Sequence, residues 1–584
     1  MFKKAYPVFA AGKEKELNYT LLLRGRTESL VGSTLYVTAA SFYRLTVNGR
    51  FVAFGPARTA AGYARVDKLS LGKYHREGGN EIVIEVAGYA CRSLSTVKQD
   101  SFVVAELCRG EEVLLATGRD FDGYRSAHRQ QKVERYSGQR HFGEIYDYTE
   151  QDPFAKGYRV ELEKSKQKLD FLPRVVPYPT YERVSFKEYS SCGTLSYRMP
   201  KDFRANRYSF AETMTDYWGY YHEEEVAEHP YRWIQTMKMT HKRCGKFPIT
   251  IREGEYVIVD MKTINAGFFE FGATALSESE VVLGFSELCS PRKFEFTNIN
   301  SQNVIQYRLP KGAVRAHSFE PYTARVVVLM VKKGALRLNS FAMRRFEHDR
   351  ARLLPRKVRD AALRRIYAAA ETTFLHNAVD IYTDCPSRER AGWLCDSYFT
   401  GRAEYFLTGE SRVEDAFLEN YRLYRPTGEL PDGVLPMCFP ADIQFLKQEH
   451  PLPRWIPQWN MWYVLEVCEY LSLRRPDVDR ELFRESVYGV LRSLERNENS
   501  DGLLENLPSW NFVEWSTANE WVQNVNYPTN FLYAEVLRAT GNLYQDQALL
   551  EKSARVRATT VARSFDGEVF IDNAVRGEDG KLYL

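Results

Sequence analysis

The sequence predicts a multidomain protein in which all-β sandwich domains precede a helical domain built from antiparallel hairpins. Three observations predict it. The 584 residues are too many for one hydrophobic core, so several domains are needed, each with its own interior. From Tyr19 to about residue 347, short runs of β-branched and aromatic residues alternate with turn signals. After Pro355 the apolar period changes from two to 3.6, the repeat of an amphipathic helix.

Residues 1–225 are expected to form the first sandwich with a linker. Its strands include Thr34-Leu35-Tyr36-Val37-Thr38 and Glu81-Ile82-Val83-Ile84-Glu85-Val86, and Asn48-Gly49 after Tyr43–Val47 signals a hairpin, because both residues tolerate the positive φ of a type I′ turn. From about 105 to 225 the runs become more polar, and the Pro and Tyr residues between 172 and 181 suggest a long surface connection after the return of that sandwich. A second sandwich is expected over 226–350, marked by Glu255–Asp260, Phe268-Phe269-Glu270-Phe271 and Arg325–Val331. Over 351–584, Leu363, Ile366, Tyr367, Ala370 and Phe374 share one helical stripe, and further helices are predicted around 393–408, 411–424, 456–474, 477–497, 526–541 and 543–563. No fixed-period repeat stands out, which disfavours a solenoid.

Composition narrows the function. Lysine plus arginine number 80 against 76 acidic residues, interspersed along the chain, whereas nucleic-acid binding calls for clustered positive charge, so no nucleic-acid partner is expected. No apolar run approaches the roughly 18 residues of a membrane span, so no membrane partner is expected either. The start, through Ala5-Tyr6-Pro7-Val8-Phe9, lacks a signal-peptide core, and nine cysteines scattered from Cys91 to Cys468 fit reduced thiols; a cytoplasmic location is the expectation. With aromatics at 14%, many rings must fill sandwich cores, while others suit the apolar faces of sugars.

The chemistry concentrates in Asp384-Cys385-Pro386-Ser387-Arg388-Glu389-Arg390-Ala391-Gly392-Trp393-Leu394-Cys395-Asp396, thirteen residues holding three carboxylates, two guanidiniums and a tryptophan. Pro386 keeps Cys385 out of helical geometry, so the strip should cross the mouth of the helical domain before a helix begins near Trp393. Glycoside hydrolysis needs one carboxylic acid to protonate the leaving oxygen and one carboxylate to activate water or attack the anomeric carbon. Glu389 is the candidate acid. Asp384 and Asp396 would favour its protonation if they converge on it, while Arg388 or Arg390 would oppose it; both outcomes stay open, as does a plain surface ion-pair loop.

The strip resembles the pattern Asp-Cys-Pro-x-Arg-Asp-Glu-Arg-x-Gly-Trp-x-x-Asp of the α-L-rhamnosidases, glycoside hydrolase family 78, at the rim of an (α/α) six-hairpin toroid. That resemblance implies that Asp384 and Asp396 bind rhamnose hydroxyls, that Arg388 binds sugar or positions a carboxylate, that Trp393 packs on the ring and that Glu389 is the general acid of an inverting mechanism. The family's Asp-Glu pair is a lone Glu389 here, so Arg388 and Arg390 carry a one-residue ambiguity. Tyr43–Gly49 followed by Gly55-Pro56-Ala57-Arg58, Gly143-Glu144-Ile145-Tyr146-Asp147, Tyr256–Gly267 and Glu287 are also similar to the family's β domains, in order.

Two aromatic clusters are further candidates. Trp455, Trp459, Trp462 and Tyr463 recur at helical spacing, which suits a packed face as well as a sugar platform, and Trp459 is kept as a substrate-binding candidate. The second comprises Trp510, Phe512, Trp515 and Trp521; Trp510, after Asp501-Gly502 and Pro508-Ser509, resembles the family's rim aromatic. Carboxylates, arginine and an aromatic wall together suit a 6-deoxy sugar with several hydroxyls and a methyl group. Zinc-hydrolase, phosphate-loop and serine-hydrolase motifs are missing, Cys385 reads as structural, and no cofactor or metal is expected.

A ring of six hairpins takes two helices per hairpin, and about seven helices are legible between Arg356 and Leu584. The expectation is an incomplete barrel with exposed apolar helix faces, with oligomerisation left open and a general base later than Leu584 instead of at Glu514 or Glu520. The expected partner is a rhamnose-containing glycoside or polysaccharide. A non-catalytic carbohydrate-binding protein and a six-hairpin glycosidase for another sugar are the alternatives.

Overall fold

A computed structural model describes residues 1–196, 218–226, 228, 230, 238–240, 244–288, 297–298, 301–426, 430–441, 455–517, 519 and 522–583. The chain divides into two compact units: Met1–Ala351 with Ala368–Asp380 and Cys385–Arg390, and Arg352–Tyr367 with Ile381–Asp384 and Ala391–Leu584.

The first unit opens with a sandwich. One sheet runs in the order Leu162–Lys164, Val8–Ala10, Phe102–Arg109, Thr34–Ala40, Tyr63–Ser70, Asp170–Pro173, with Glu112–Ala116 paired to Phe102–Arg109. The other runs Arg159–Val160, Asp122–Arg125, Tyr19–Thr27, Asn80–Gly88, Phe42–Val47, Arg50–Gly55. Asn80–Gly88 alternates buried and half-buried residues over its first six positions, so Ile82, Ile84 and Val86 point into a core shared with Leu21, Leu35, Val37, Leu45 and Val103. Each large apolar side chain buried this way contributes about 1.5–3 kcal/mol. The Asn48-Gly49 hairpin forms as predicted, with φ of 53° and 72° at the two residues and Val47 opposite Arg50.

Among the described residues an eleven-stranded sheet follows, organised on the strand Glu255–Ala275, which pairs with Tyr322–Lys333, Ala335–Arg345, Ser191–Ser196 and Gly312–His317. Glu255–Asp260 and Phe268–Phe271 read as separate strands in the sequence. They belong to one strand whose register shifts between Asp260 and Asn265, where Lys262 takes φ of 70°. The region from 105 to 225 does not all return to the first sandwich: Glu144–Asp147 pairs in parallel with Val304–Leu309, and Arg183–Phe186 pairs with Ala335–Arg345. These are short runs whose partners lie far along the chain, so local composition carried no sign of their sheet.

The second unit is mainly helical. Among the described residues the chain holds α1 (Ala361–Asn377), α2 (Asp396–Thr408), α3 (Arg412–Arg422), α4 (Pro457–Glu469), α5 (Glu481–Glu495), α6 (Tyr527–Tyr544) and α7 (Gln547–Ser564). Their limits have local causes. Asn526 accepts the Thr529 N–H at the start of α6, Asp546 accepts the Leu549 N–H at the start of α7, and Gly409 closes α2 at φ of 73°. On α5, Phe483, Val487, Val490, Leu491 and Leu494 are buried, as their spacing predicted. On α1 the stripe is only partly covered: Phe374 is buried, but Leu363 and Ile366 are 58% and 64% exposed. Phe399, Tyr405 and Phe406 of α2 are exposed as well. No helix among the described residues is long and apolar enough to cross a membrane.

Candidate active site

The strip is split between the units. Cys385–Arg390 belongs to the first, and Asp384 with Ala391–Asp396 to the second.

Within the first unit the β domains hold Cys385–Arg390 from several sides. Thr323 Oγ1 donates to the Pro386 carbonyl (2.9 Å), Arg140 Nη1 to that of Ser387 (2.8 Å), Ser95 Oγ to that of Glu389 (2.7 Å) and Arg58 Nη1 to that of Arg390 (2.6 Å). A loop with four of its carbonyls claimed by side chains of a β scaffold is restrained along most of its length. Arg58 also forks onto Asp380, with Nε 2.9 Å from Oδ2 and Nη2 2.8 Å from Oδ1, while its backbone N–H donates to Oδ2 at 3.0 Å. Burial alone would raise Asp380, yet Arg58 reverses this and holds the carboxyl well below its usual range.

Glu389 is buried. Its Oε1 accepts from Gln139 Nε2 at 2.9 Å and lies 2.5 Å from Arg388 Nη2. Arg388 is the one on the Glu389 carboxylate, whereas Arg390, at φ of 50°, turns inward to lie 3.8 Å from Glu320 Oε2 and 5.3 Å over the Phe346 ring. Burial, Arg140 and Arg58 push the Arg390 guanidinium down from its ordinary value. Glu320 is buried too, but His141, Arg140 and Arg390 more than reverse that cost and hold it well below the usual carboxylate range. Glu287 lies at the same loop, raised by burial and eased by a hydrogen bond with Ser387.

Within the second unit, Asp384 closes the strip on itself: its N–H donates to the Ala391 carbonyl (3.0 Å) and its Oδ1 accepts the Ala391 N–H (3.1 Å). Part of the carboxylate expected to bind sugar therefore has a structural task. Gly392–Leu394 then pairs with Met437–Phe439, through Phe439 N–H to the Gly392 carbonyl and Leu394 N–H to that of Met437. A Cβ at Gly392 would sit 2.3 Å from the Phe439 carbonyl oxygen, so this approach requires glycine. Trp393 is half-buried, and Asp396 opens α2, where a carboxylate suits the helix N-terminus.

The two aromatic clusters meet. Trp459 and Trp510 both pack edge-on against Phe512, at 4.9 and 5.3 Å between centroids, and Trp515 packs on Phe512 at 4.7 Å while remaining 85% exposed. Trp455 precedes α4 and is buried with Leu430 and Val434, and Trp462 packs on Tyr398 and Phe399, so these two serve packing. Glu514 is exposed and accepts from Ser516; Glu520 and Trp521 lie outside the described residues. Gln139 and Ser95 escaped sequence reasoning, since no local motif marks them. Arg58 was visible only as part of Gly55-Pro56-Ala57-Arg58.

Residues 357–555 match the family described as the bacterial alpha-L-rhamnosidase 6 hairpin glycosidase domain. A comparison with curated proteins finds no match. Among solved structures, a GH78 family rhamnosidase of Bacillus sp. GL1 is similar over 100% of this chain and 79% of that one, with TM-score 0.81 and 16% identity. The native alfa-L-rhamnosidase of Aspergillus terreus matches over 97% and 63%, with TM-score 0.64 and 12% identity. The Streptomyces avermitilis alpha-L-rhamnosidase, solved with L-rhamnose, matches over 94% and 49%, with TM-score 0.59 and 14% identity. The chain thus spans from 49% to 79% of these proteins' lengths. It shares their fold, β-rich domains followed by a six-hairpin helical domain, with no closed ring among the described residues.

Proposed function

We propose that this chain, which carries the six-hairpin glycosidase domain of the bacterial alpha-L-rhamnosidases over residues 357–555, is a glycoside hydrolase that removes terminal α-L-rhamnose from glycosides or polysaccharides by inversion. The observation that carries the reading is Glu389: a buried carboxyl group, fixed by Gln139 and Arg388, on a loop clamped through its carbonyls. In this reading Glu389 protonates the leaving oxygen and Arg388 steers its carboxyl group. Asp384 and Asp396 take sugar hydroxyls, and Trp393, Trp459 and Trp510 offer apolar faces to the ring and its methyl group. The base is not assigned to Glu514, whose exposed carboxylate is engaged by Ser516. A cytoplasmic location is part of the proposal, supported by nine cysteines scattered along the sequence without paired spacing.

The test is hydrolysis of an aryl α-L-rhamnoside by the chain and by Glu389→Gln. The variant is expected to lose about 10²–10⁴-fold in kcat/KM while calorimetry still detects rhamnose. Equal turnover by the two proteins would remove Glu389 from the chemistry. One observation favours a second reading: Arg388 on Glu389 suits a carboxylate that accepts hydrogen bonds from sugar hydroxyls, as in a protein that binds rhamnose without cleaving it. Calorimetric binding with no turnover of any aryl glycoside would select that reading.

A further inference from the structure

Within the second unit, residues of 504–511 and 522–529 line a cavity of about 360 Å³. That volume lies in the range of about 300–1,000 Å³ that holds small molecules. Both stretches are fixed by the chain itself. Asn530 Oδ1 accepts the Leu504 N–H at 2.7 Å while Asn530 Nδ2 donates to the Leu504 carbonyl at 3.0 Å. Asn511 Nδ2 donates to the Leu507 carbonyl at 2.7 Å, and Asn511 Oδ1 accepts from Gln458 Nε2 of α4 at 3.2 Å. On the other side, Val525 and Asn526 pair with Ala574 and Asn573 before Asn526 caps α6. The two stretches meet at a pair of asparagines: Asn506 N–H donates to the Asn524 carbonyl at 2.8 Å, and Asn524 Nδ2 donates to Asn506 Oδ1 at 2.7 Å. Both take positive φ, 54° and 33°, which asparagine tolerates better than most residues. Walls tied down in this way lower the ordering cost of filling the cavity.

The lining is amide-rich. Asn506, Asn511, Gln523, Asn524 and Asn526 contribute to it with Thr529, the rest is aliphatic, and no described lining residue is ionisable. An amide side chain presents two donor hydrogens and two acceptor lone pairs, which suits hydroxyl groups that both give and take hydrogen bonds. A carboxylate brought into the same space would leave water with no cation among the described lining residues to meet it. The place of the cavity matters as well. Asn511 lies between Trp510, one of the aromatics assigned above to the rhamnose ring, and Phe512, on which both Trp459 and Trp510 pack, so the cavity and that cluster share one loop. We propose that this cavity binds the sugar residue next to the terminal rhamnose and that this residue is neutral. The substrate is then a rhamnose-capped neutral saccharide, in preference to a uronic-acid chain or a simple aryl glycoside. This rests on the assignment of rhamnose to the Trp510 cluster and adds the chemistry of the group that rhamnose leaves.

The experiment is calorimetry on the full chain with L-rhamnose and with two disaccharides, α-L-rhamnosyl-D-glucose and α-L-rhamnosyl-D-glucuronic acid, both sulfur-linked so that binding is read without cleavage. The glucose compound should bind about tenfold tighter than rhamnose, and the glucuronic acid compound no tighter than rhamnose. Gln523→Ala, at an exposed side chain, should cut the glucose gain to less than about threefold. Asn506→Asp, which keeps an acceptor for Asn524 and tolerates the positive φ, should do the same and carries the test if Gln523→Ala does not fold. Equal affinity for rhamnose and the glucose compound, or a gain that survives both substitutions, would overturn the proposal, and an equal gain for the glucuronic acid compound would overturn its neutrality. Turnover of an aryl α-L-rhamnoside without any glucose gain removes the cavity from the substrate site and leaves the hydrolytic reading standing. Binding of the glucose compound that depends on Gln523, with no turnover of an aryl rhamnoside, supports the cavity while the hydrolytic reading alone falls. No binding of any of the three sugars would overturn the proposal.

Discussion

In the first unit Asp380 and Glu320 are buried against guanidiniums, Arg58 for one and Arg140 with Arg390 for the other. In the second unit Glu404 is equally buried, but its partners are the Tyr382 hydroxyl and the Val413 and Glu414 N–H groups at the start of α3. Glu466, also buried in the helical unit, accepts from Ser397 Oγ at 2.5 Å and feels Glu414, while Arg474 spends its nitrogens on Glu414 and Glu469. The consequences have opposite signs. Asp380 and Glu320 are held well below the usual range, whereas burial pushes Glu404 up to about 8 and raises Glu466 well above its ordinary value. For these four carboxyl groups the cations alongside them decide the sign of the shift, whereas at Asp67 burial still wins against Arg174.

The strongest way to break this contrast is Arg58→Met. It leaves Asp380 charged in the interior without its guanidinium and removes one clamp on the Glu389 loop, so about 3–5 kcal/mol of stability should disappear at neutral pH. Chemical denaturation checks this, and a loss under about 1 kcal/mol would show that water already reaches Asp380.

The next test is pH. Asp380 and Glu320 contribute stability that is present above the ordinary carboxylate range and lost as pH falls through their depressed values. Glu404 works the other way, since a value raised from 4.5 to about 8 gives stability that is complete below 4.5 and lost as pH rises through 8. The helical unit should therefore melt earlier at pH 9 than at pH 6, and the β unit earlier in acid. Seven of the nine tryptophans belong to the second unit, so fluorescence follows the helices while hydrogen exchange follows the strands. A helical melting point that rises between pH 6 and 9 would contradict the assignment.

The smallest expected effect sharpens the same comparison. Glu466→Gln keeps an acceptor for Ser397 and abolishes ionisation, so it should be close to neutral at pH 6 and stabilising by roughly 1 kcal/mol at pH 9. Identical pH profiles in the two proteins would place the alkaline loss elsewhere.

What was legible in the sequence follows the range of the interactions. The apolar period placed 411–424 and 526–541 where α3 and α6 lie, and Asn48-Gly49 fixed a turn, because these signals sit within a few residues. The strip itself stood out by composition. What the strip touches did not: Gln139 and Arg58 act across 250 and 322 residues, and a lone polar side chain carries no mark of so distant a partner. The stripe on α1 was read correctly as a face, but periodicity does not say whether a face is covered, and Leu363 and Ile366 are not.

The fork between Arg58 and Asp380 also sets an order of events at the ribosome. The arginine is translated 322 residues before its carboxylate, which at roughly 5–20 residues per second is a delay of tens of seconds. During that interval the nascent sandwich holds a cation with no counter-ion from Asp380, so this ion pair waits on the segment that carries the carboxylate. Ribosome-arrested chains ending before and after Asp380 should differ in protease resistance around Arg58.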